Sequence, residues 1–183
     1  MAHIAMAEAA RRCAALDRVL IIPAGVPPHR SQPEASDQDR LAMSRLAVRG
    51  HPELEVSDME LRRPGPSYTL LTLQEVHDQN PRADLFLVLG WDAARDMRAW
   101  HEPERVLDLA KLLVVPRPGL PDPTPDDLRA AGIPEDRVCF CRVRTPNVGA
   151  TELRRHLHQG TVPGGALDPA VASYIAEHRL YRD

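Results

Sequence analysis

Continuous apolar segments that end at a helix-breaking residue constrain the fold of this chain most strongly. Residues 85–90 (LFLVLG) are apolar throughout and end at a glycine, and residues 112–116 (LLVVP) end at a proline. Residues 18–23 (RVLIIP) follow the same pattern. Short apolar runs without polar alternation are typical of strands that are covered on both faces, as in a parallel sheet. These three segments therefore predict the interior strands of such a sheet.

Helical segments alternate with these strands along the chain. Helices are predicted at residues 4–16, 37–48, 69–78, 151–157 and 168–178, and two further strands at 54–61 and 138–143. Alternation of this kind predicts an α/β domain with helices on both faces of the sheet. We therefore expect one doubly wound domain over residues 1–183, with ligands beyond the carboxyl ends of the strands. The proline-rich residues 119–135 are expected to form an exposed excursion.

The composition excludes several classes of function. The formal net charge is −3, so no global basic field favours nucleic acid. No apolar run approaches the roughly 20 residues that a membrane-spanning helix needs, and charges interrupt the Ala-rich N-terminus where a secretory signal would be continuous. Three cysteines without scaffold spacing indicate reduced thiols and hence a cytoplasmic protein. The oligomeric state stays open, and a homo-oligomer is compatible with the sequence.

Five segments, in their order and spacing, resemble the bacterial nicotinate-nucleotide adenylyltransferases over essentially the whole chain. They are residues 22–30 (IPAGVPPHR), 62–69 (RRPGPSYT), 89–92 (LGWD), 98–104 (RAWHEPE) and 116–119 (PRPG). The resemblance implies a Rossmann-like nucleotidyltransferase fold that uses ATP and a divalent metal, Mg²⁺, bound through the phosphates. It also implies that the adenylyl group of ATP is transferred to nicotinic acid mononucleotide. The products would be nicotinic acid adenine dinucleotide and pyrophosphate, in NAD biosynthesis.

For ATP, the resemblance assigns residues near the start and the middle of the chain. Ala2-His3 matches the end of a His-x-Gly-His motif, so His3 is expected to contact the ATP phosphates and to be catalytic. A helix N-terminus beside an imidazole donor suits an anion. Gly90 and Asp92 match a Gly-x-Asp motif whose aspartate contacts ribose hydroxyls, although Trp91 replaces a usually small residue.

A late motif completes the expected ATP site. Thr151 and Arg154 match a pattern that opens a phosphate-binding helix, and Arg154 is expected to supply charge in catalysis. Gly149 and Ala150 lack the two hydroxyls that are usual there. We expect this loss to weaken ATP binding by about 1 kcal/mol for each hydroxyl.

The mononucleotide is assigned to two loops that follow strands. His29 and Arg30 close a proline-stiffened loop that lines the substrate and phosphate site in the family, with Arg30 in place of the usual lysine. Ser67, Tyr68 and Thr69 lie at a helix N-terminus, where the family reads the pyridine carboxylate, chiefly through main-chain amides. Simple capping of that helix by Ser67 or Thr69 is an alternative, and both can hold together.

Two aromatic residues complete the expected mononucleotide site. Trp100 corresponds to a position where the family stacks an aromatic ring on the pyridine. His101 follows it, where tyrosine or histidine is usual. A buried core tryptophan is the alternative for Trp100.

The resemblance also implies a missing element. The family's first strand, its glycine-rich turn and its first motif histidine would precede Ala2, and that strand normally lies in the middle of the sheet. We therefore expect the central first strand to be absent from these 183 residues. The chain would then be either a protein whose true start lies upstream or a truncated remnant, and the intact downstream motifs favour the first explanation.

Two other functions remain open at this stage. One is an adenylyltransferase for another phosphate acceptor, such as phosphopantetheine, against which the Ser-Tyr-Thr and Trp-His features argue. The other is a non-catalytic remnant that binds a nucleotide or a partner without chemistry.

Overall fold

The computed structural model describes residues 2–28, 33–115, 122–141 and 149–181. Two residues expected in the site, His29 and Arg30, lie outside these ranges. No helix in the described part of the chain is long and apolar enough to cross a membrane.

Five strands, all paired in parallel, form two separate sheets among the described residues. They are β1 (Val19–Ile21), β2 (Leu54–Val56), β3 (Phe86–Gly90), β4 (Lys111–Val115) and β5 (Val138–Phe140). β1 pairs with β2, and the second sheet has the order β3-β4-β5. The expected strand at 54–61 is shorter than predicted, because a helical turn begins at Met59.

Nine α-helices surround these strands in the described part of the chain. They are α1 (Ala2–Cys13), α2 (Asp37–Ala47), α3 (Met59–Arg62), α4 (Thr69–Gln79), α5 (Trp91–Ala94), α6 (Pro103–Leu109), α7 (Pro125–Ala131), α8 (Ala150–His158) and α9 (Pro169–Glu177). Two 3₁₀ turns, Met97–Ala99 and Glu135–Arg137, complete the described elements.

β4 shows why the second sheet needs helices on both faces. Its side chains alternate between two core clusters: Leu112 and Val114 belong to the cluster that includes residues of α6 and α7, whereas Leu113 and Val115 pack with Ala10 of α1. Every residue of β4 except Lys111 is buried. The apolar run therefore predicted this strand correctly, since both of its faces are covered.

A cavity of about 1560 Å³ lies between the two sheets, in agreement with the expectation that the central first strand is absent from these residues. β1 and β3 both line this cavity and share no backbone pairing. As a result Phe86, Leu87 and Val88 are only half-buried, although the sequence predicts an interior strand. The helix α1 packs on both sheets, through Ile4 and Ala7 on the β1–β2 side and Ala10 on the β4 side.

Candidate functional site

Two loops that belong to the motif segments are hydrogen-bonded to each other. Residues 22–28 follow the carboxyl end of β1, and residues 63–68 precede α4. The Ser67 amide donates to the Val26 carbonyl oxygen (2.8 Å), and the Val26 amide donates to Ser67 Oγ (3.1 Å). Val26 also forms a parallel bridge with Pro66. The two loops therefore form one unit, in which Ser67 is the connecting residue.

The N-terminus of α4 has no side-chain cap. The N-cap residue is Tyr68, and no side chain among the described residues forms a capping hydrogen bond here, so the capping alternative for Ser67 and Thr69 is wrong. The hydroxyl of Ser67 is committed to Val26 instead. Thr69 is the first residue of α4, and backbone amides in a first helical turn have no intrahelical acceptor. This end of α4 can therefore present N–H donors to an anion.

Tyr68 and His101 form a ring stack beside that helix end. Their ring centroids are 4.2 Å apart and their planes differ by 26°. The stack joins the loop before α4 to the segment that follows the 3₁₀ turn Met97–Ala99. Trp100, the neighbour of His101, is half-buried and packs against the core cluster of the second sheet. Partial burial against the core thus fits the core alternative for Trp100 as well as the ligand-stacking role.

Glu102 holds the far side of His101. His101 Nε2 lies 3.2 Å from one Glu102 carboxylate oxygen, and Arg105 Nη1 donates to the other (2.6 Å). The Arg105 hydrogen bond, followed by the charges of Arg105 and His101, lowers the pKa of Glu102 below its ordinary value. The carboxylate is therefore ionised at neutral pH and orients the imidazole that stacks on Tyr68.

Gly90 and Asp92 lie together at the carboxyl end of β3. Gly90 is the last residue of β3 and precedes α5, and Asp92 is exposed in the first turn of that helix. A Cβ atom on Gly90 would overlap Asp92 Oδ1. The glycine therefore permits the aspartate to fold back over the strand end.

His3 and Arg154 line the cavity between the sheets. His3 is exposed in the first turn of α1, and desolvation, followed by the positive charge of the chain's N-terminus, lowers its pKa. The lowered pKa keeps the ring neutral at pH 7. Arg154 lies on α8, near Tyr181, and Thr151 is exposed in the first turn of α8. Among the predicted residues, His3 and Arg154 line the same cavity (the cavity group), and Tyr68 and His101 stack on each other (the stack group). The described contacts place Gly90, Asp92 and Thr151 in neither group.

Comparison with known proteins decides the family. A cytidylyltransferase-like family profile matches residues 1–156. A probable nicotinate-nucleotide adenylyltransferase of Roseiflexus sp. (strain RS-1) is 42% identical over 185 residues, which covers 98% of this chain and 90% of that protein. The chain belongs to the nicotinate-nucleotide adenylyltransferase family. A family member from Thermus thermophilus is 40% identical over 182 residues, covering 100% of this chain and 92% of that protein.

Two solved structures share the α/β fold of this chain. The Plasmodium falciparum nicotinic acid mononucleotide adenylyltransferase complexed with NaAD superposes with a TM-score of 0.78 at 15% identity, over 98% of this chain and 90% of that one. A putative nicotinate-nucleotide adenylyltransferase from Vibrio parahaemolyticus gives a TM-score of 0.67 at 17% identity, over 100% and 87%. At these identities the likeness concerns the fold alone.

Two residues that hold the loop of residues 22–28 were missed by the sequence reasoning. Arg40 Nη2 donates to the carbonyl oxygens of Ala24 (2.5 Å) and Gly25 (3.4 Å) from α2. Glu60 Oε2 accepts from the Gly25 amide (3.3 Å). Neither side chain belongs to a quoted motif segment, and both act on backbone atoms, so residue type alone carried no signal for them.

Proposed function

We propose that this protein transfers the adenylyl group of ATP to nicotinic acid mononucleotide and releases pyrophosphate. The observation that carries the proposal is the Tyr68–His101 stack at the uncapped N-terminus of α4. It combines aromatic surface for a pyridine ring with backbone donors for its carboxylate. The names of the relatives support the same substrate.

The mononucleotide half of the proposed site lies at the N-terminus of α4. The amides that begin α4 at Thr69 would receive the nicotinate carboxylate, and Tyr68, His101 and Trp100 would contact the pyridine. An amide substituent would place its own N–H donors against these N–H donors, which disfavours the nicotinamide form. Ser67 supports this half through its bonds to Val26. The assignment of His29 and Arg30 to the phosphate rests on the resemblance alone.

For the ATP half, His3, Gly90, Asp92, Thr151 and Arg154 are the proposed contacts. In the reaction, a phosphate oxygen of the mononucleotide forms a bond to the α-phosphorus of ATP as the bond to the pyrophosphate oxygen breaks. Positioning and charge stabilisation are sufficient for such an in-line transfer. A neutral His3 can donate one hydrogen bond to a phosphate oxygen, and Arg154 adds a permanent positive charge.

Mg²⁺ belongs to this proposal as a companion of the ATP phosphates. No group of three or more His, Cys, Asp or Glu side chains suited to a metal ion occurs among the described residues. A cation that arrives with the nucleotide and neutralises its phosphates requires no such cluster. Pyrophosphate release should therefore cease when EDTA exceeds Mg²⁺ and return when Mg²⁺ is restored.

Pyrophosphate release with ATP and Mg²⁺ tests the proposal, with nicotinic acid mononucleotide and nicotinamide mononucleotide compared as acceptors. We expect turnover with the first and a kcat/KM at least tenfold lower with the second. His101→Ala should raise the KM for the mononucleotide, whereas His77→Ala, on the last turn of α4, should not. Turnover with the nicotinamide form or with phosphopantetheine instead would overturn the substrate assignment, and nucleotide binding without turnover would indicate a non-catalytic protein.

A further inference from the structure

Glu60 connects three parts of the chain near Tyr68: its own helix α3, the loop that contains Gly25, and α4. It lies on the short helix α3, whose neighbouring residue Met59 is 3% exposed and anchors the turn in the core. One carboxylate oxygen, Oε2, accepts a hydrogen bond from the Gly25 amide (3.3 Å). The other, Oε1, accepts from the Thr72 hydroxyl of α4 (2.7 Å). A single side chain thus ties the loop after β1 to the helix that begins at Thr69.

The Thr72 hydroxyl is held in a fixed orientation. Thr72 is 7% exposed, and it is the buried polar residue of the described core. Arg63 Nη1 donates to its oxygen (3.1 Å), while Arg63 Nη2 pairs with Glu75 (2.5 Å). With the oxygen occupied as an acceptor, the hydroxyl proton is directed to Glu60. Charged groups at both ends of this chain of hydrogen bonds strengthen each bond.

The loop is also fixed from its other side. Arg40 binds the carbonyl oxygens of Ala24 and Gly25, and its own guanidinium is held by Asp37 (2.9 Å) and the Ala35 carbonyl (2.9 Å). The backbone around Gly25 therefore has its N–H bound by a carboxylate and its C=O bound by a guanidinium. These charged contacts leave the loop little freedom to shift along Ser67.

We propose that Glu60 is a positioning residue that fixes the loop of residues 22–28 against α4 and thereby sets the geometry of the mononucleotide half of the site. Glu60 acts through Val26 and Ser67, whose mutual hydrogen bonds place Tyr68 for its stack on His101. This inference rests on the proposed function for its kinetic consequence, but its structural consequence is independent of any substrate.

Steady-state kinetics of Glu60→Ala and Glu60→Gln provide the first test. Displacement of the loop should raise the KM for nicotinic acid mononucleotide in Glu60→Ala by roughly ten- to a hundredfold, with the KM for ATP within about twofold of the wild type. Glu60→Gln keeps one acceptor oxygen, so its KM for the mononucleotide should lie between that of the wild type and that of Glu60→Ala. Glu55→Ala, an exposed carboxylate on β2 that pairs with Arg18, is the matched control and should leave both constants unchanged.

The ring proton shifts of His101, measured by NMR without substrate, provide the second test. Stacking on Tyr68 moves these resonances upfield, and a His101→Gln variant assigns them. We expect Glu60→Gln to move them toward free imidazole, and Glu60→Ala, if it folds, to move them further. Unchanged His101 shifts together with an unchanged mononucleotide KM would overturn the inference. A wild-type protein without turnover would instead refute the proposed function, and the NMR arm would still decide the role of Glu60.

Discussion

The loops of residues 22–28 and 63–68 can approach closely because residue 25 is a glycine, which carries only a hydrogen atom where other residues have a side chain. A Cβ atom there would overlap the Glu60 carbonyl oxygen and would lie 2.6 Å from Ser67 Oγ. Neither neighbour can retreat easily, because the first is backbone and the second is bonded to the Val26 amide. Only glycine fits at position 25, because there is no room for a Cβ atom.

Gly25→Ala should therefore destabilise the fold and weaken substrate binding. We expect a loss of about 1–3 kcal/mol in the free energy of unfolding, as for other overpacked sites, and a raised KM for the mononucleotide. Gly164→Ala is the control, since nothing lies within 4 Å of the Cβ it would add. Urea denaturation of both variants checks the prediction, and equal stabilities would contradict it.

Ser67 shows what the sequence could and could not predict about individual side chains. Its motif placed it correctly beside Tyr68 and Thr69 at the start of a helix. The partner of its hydroxyl, Val26, is 41 residues away in the chain. A local pattern contains no information about such a contact, so the sequence suggested only a capping role for the hydroxyl and missed its bond to the other loop.

Among the helices, α2 and α9 are linked through one carboxylate. Asp39 Oδ2 accepts from the Ser36 hydroxyl (2.6 Å) at the start of α2, and Oδ1 accepts from the Tyr174 hydroxyl (3.0 Å) of α9. The Tyr174 ring also stacks on His178, with centroids 4.0 Å apart. The hydrogen bond from Ser36, followed by that from Tyr174, lowers the pKa of Asp39 below its ordinary value of 3.8.

The pKa of Asp39 is lower in the folded than in the unfolded state. The ionised carboxylate therefore stabilises the protein at pH values above the unfolded-state pKa, and this stabilisation is lost as the pH falls through the folded-state pKa. Asp39→Asn should be about 1 kcal/mol less stable at pH 7. The difference from the wild type should shrink below about pH 3.8. Urea denaturation at pH 7 and pH 3 measures it, with the exposed Asp78→Asn as control. A difference that does not depend on pH would refute the role of the charge.

The helix α1 approaches both sheets closely because its inner face is made of alanines. Ala9 and Ala10 have no exposed surface, and Ala7 is 3% exposed. Cys141 Sγ lies 3.4 Å from the Ala9 carbonyl oxygen, so even the backbone of the helix contacts the end of the second sheet. A larger side chain on this face would push the helix away.

Ala10→Leu should cost about 1–3 kcal/mol of stability through overpacking, and it should also displace His3 from the cavity. Ala5→Leu, on the half-buried side of the same helix, should cost less. Thermal denaturation ranks the two variants. A stability of Ala10→Leu equal to that of Ala5→Leu would show that the sheets do not require the close approach.

The helix α7 was missed in the sequence because prolines concealed its start signal. Pro125 occupies a first-turn position, where a missing N–H costs nothing. The Thr124 hydroxyl and the Asp127 carboxylate form a reciprocal capping box, and Leu128 is buried. The expected exposed excursion over residues 119–135 is therefore wrong for this part. Proline density predicts loops only where no capping pattern follows.

At the scale of the whole molecule, the two sheets differ in how firmly they are held. β4 has three residues with no exposed surface, Leu112, Leu113 and Val114, and it is paired on both sides. β1 and β2 are three-residue strands paired only with each other among the described residues. The β1–β2 sheet therefore loses fewer buried contacts and fewer backbone hydrogen bonds when it unfolds locally than the β3-β4-β5 sheet does.

Native-state hydrogen exchange should resolve this difference. We expect the amides of β4 to exchange only through global unfolding, whereas those of β1 and β2 should open at a lower free energy. Amide exchange at increasing low concentrations of denaturant measures both. Equal opening energies for the two sheets would show that they unfold as one unit.

The sequence predicted the class of the fold better than its strand pairing. Apolar runs identified β3 and β4 and their parallel direction, since the pattern reports burial on two faces. Pairing across the molecule depends on which strands are neighbours, and hydrophobic pattern does not specify neighbours. The two sheets, in which β1 and β3 are not paired, agree with the expectation that the central first strand is absent from these residues. The family resemblance, and not the pattern, supplied the expectation of a missing central strand.

The cavity between the sheets also has a consequence for hydration. Among the described residues, the facing edges of β1 and β3 have no strand partner, so their backbone N–H and C=O groups are open to water in the cavity. Under the proposed assignment, a nucleotide phosphate bound at His3 and Arg154 would displace water from this space into bulk solvent. The freed solvent gains entropy, so the strength of nucleotide binding should depend on osmolyte concentration as well as on charge.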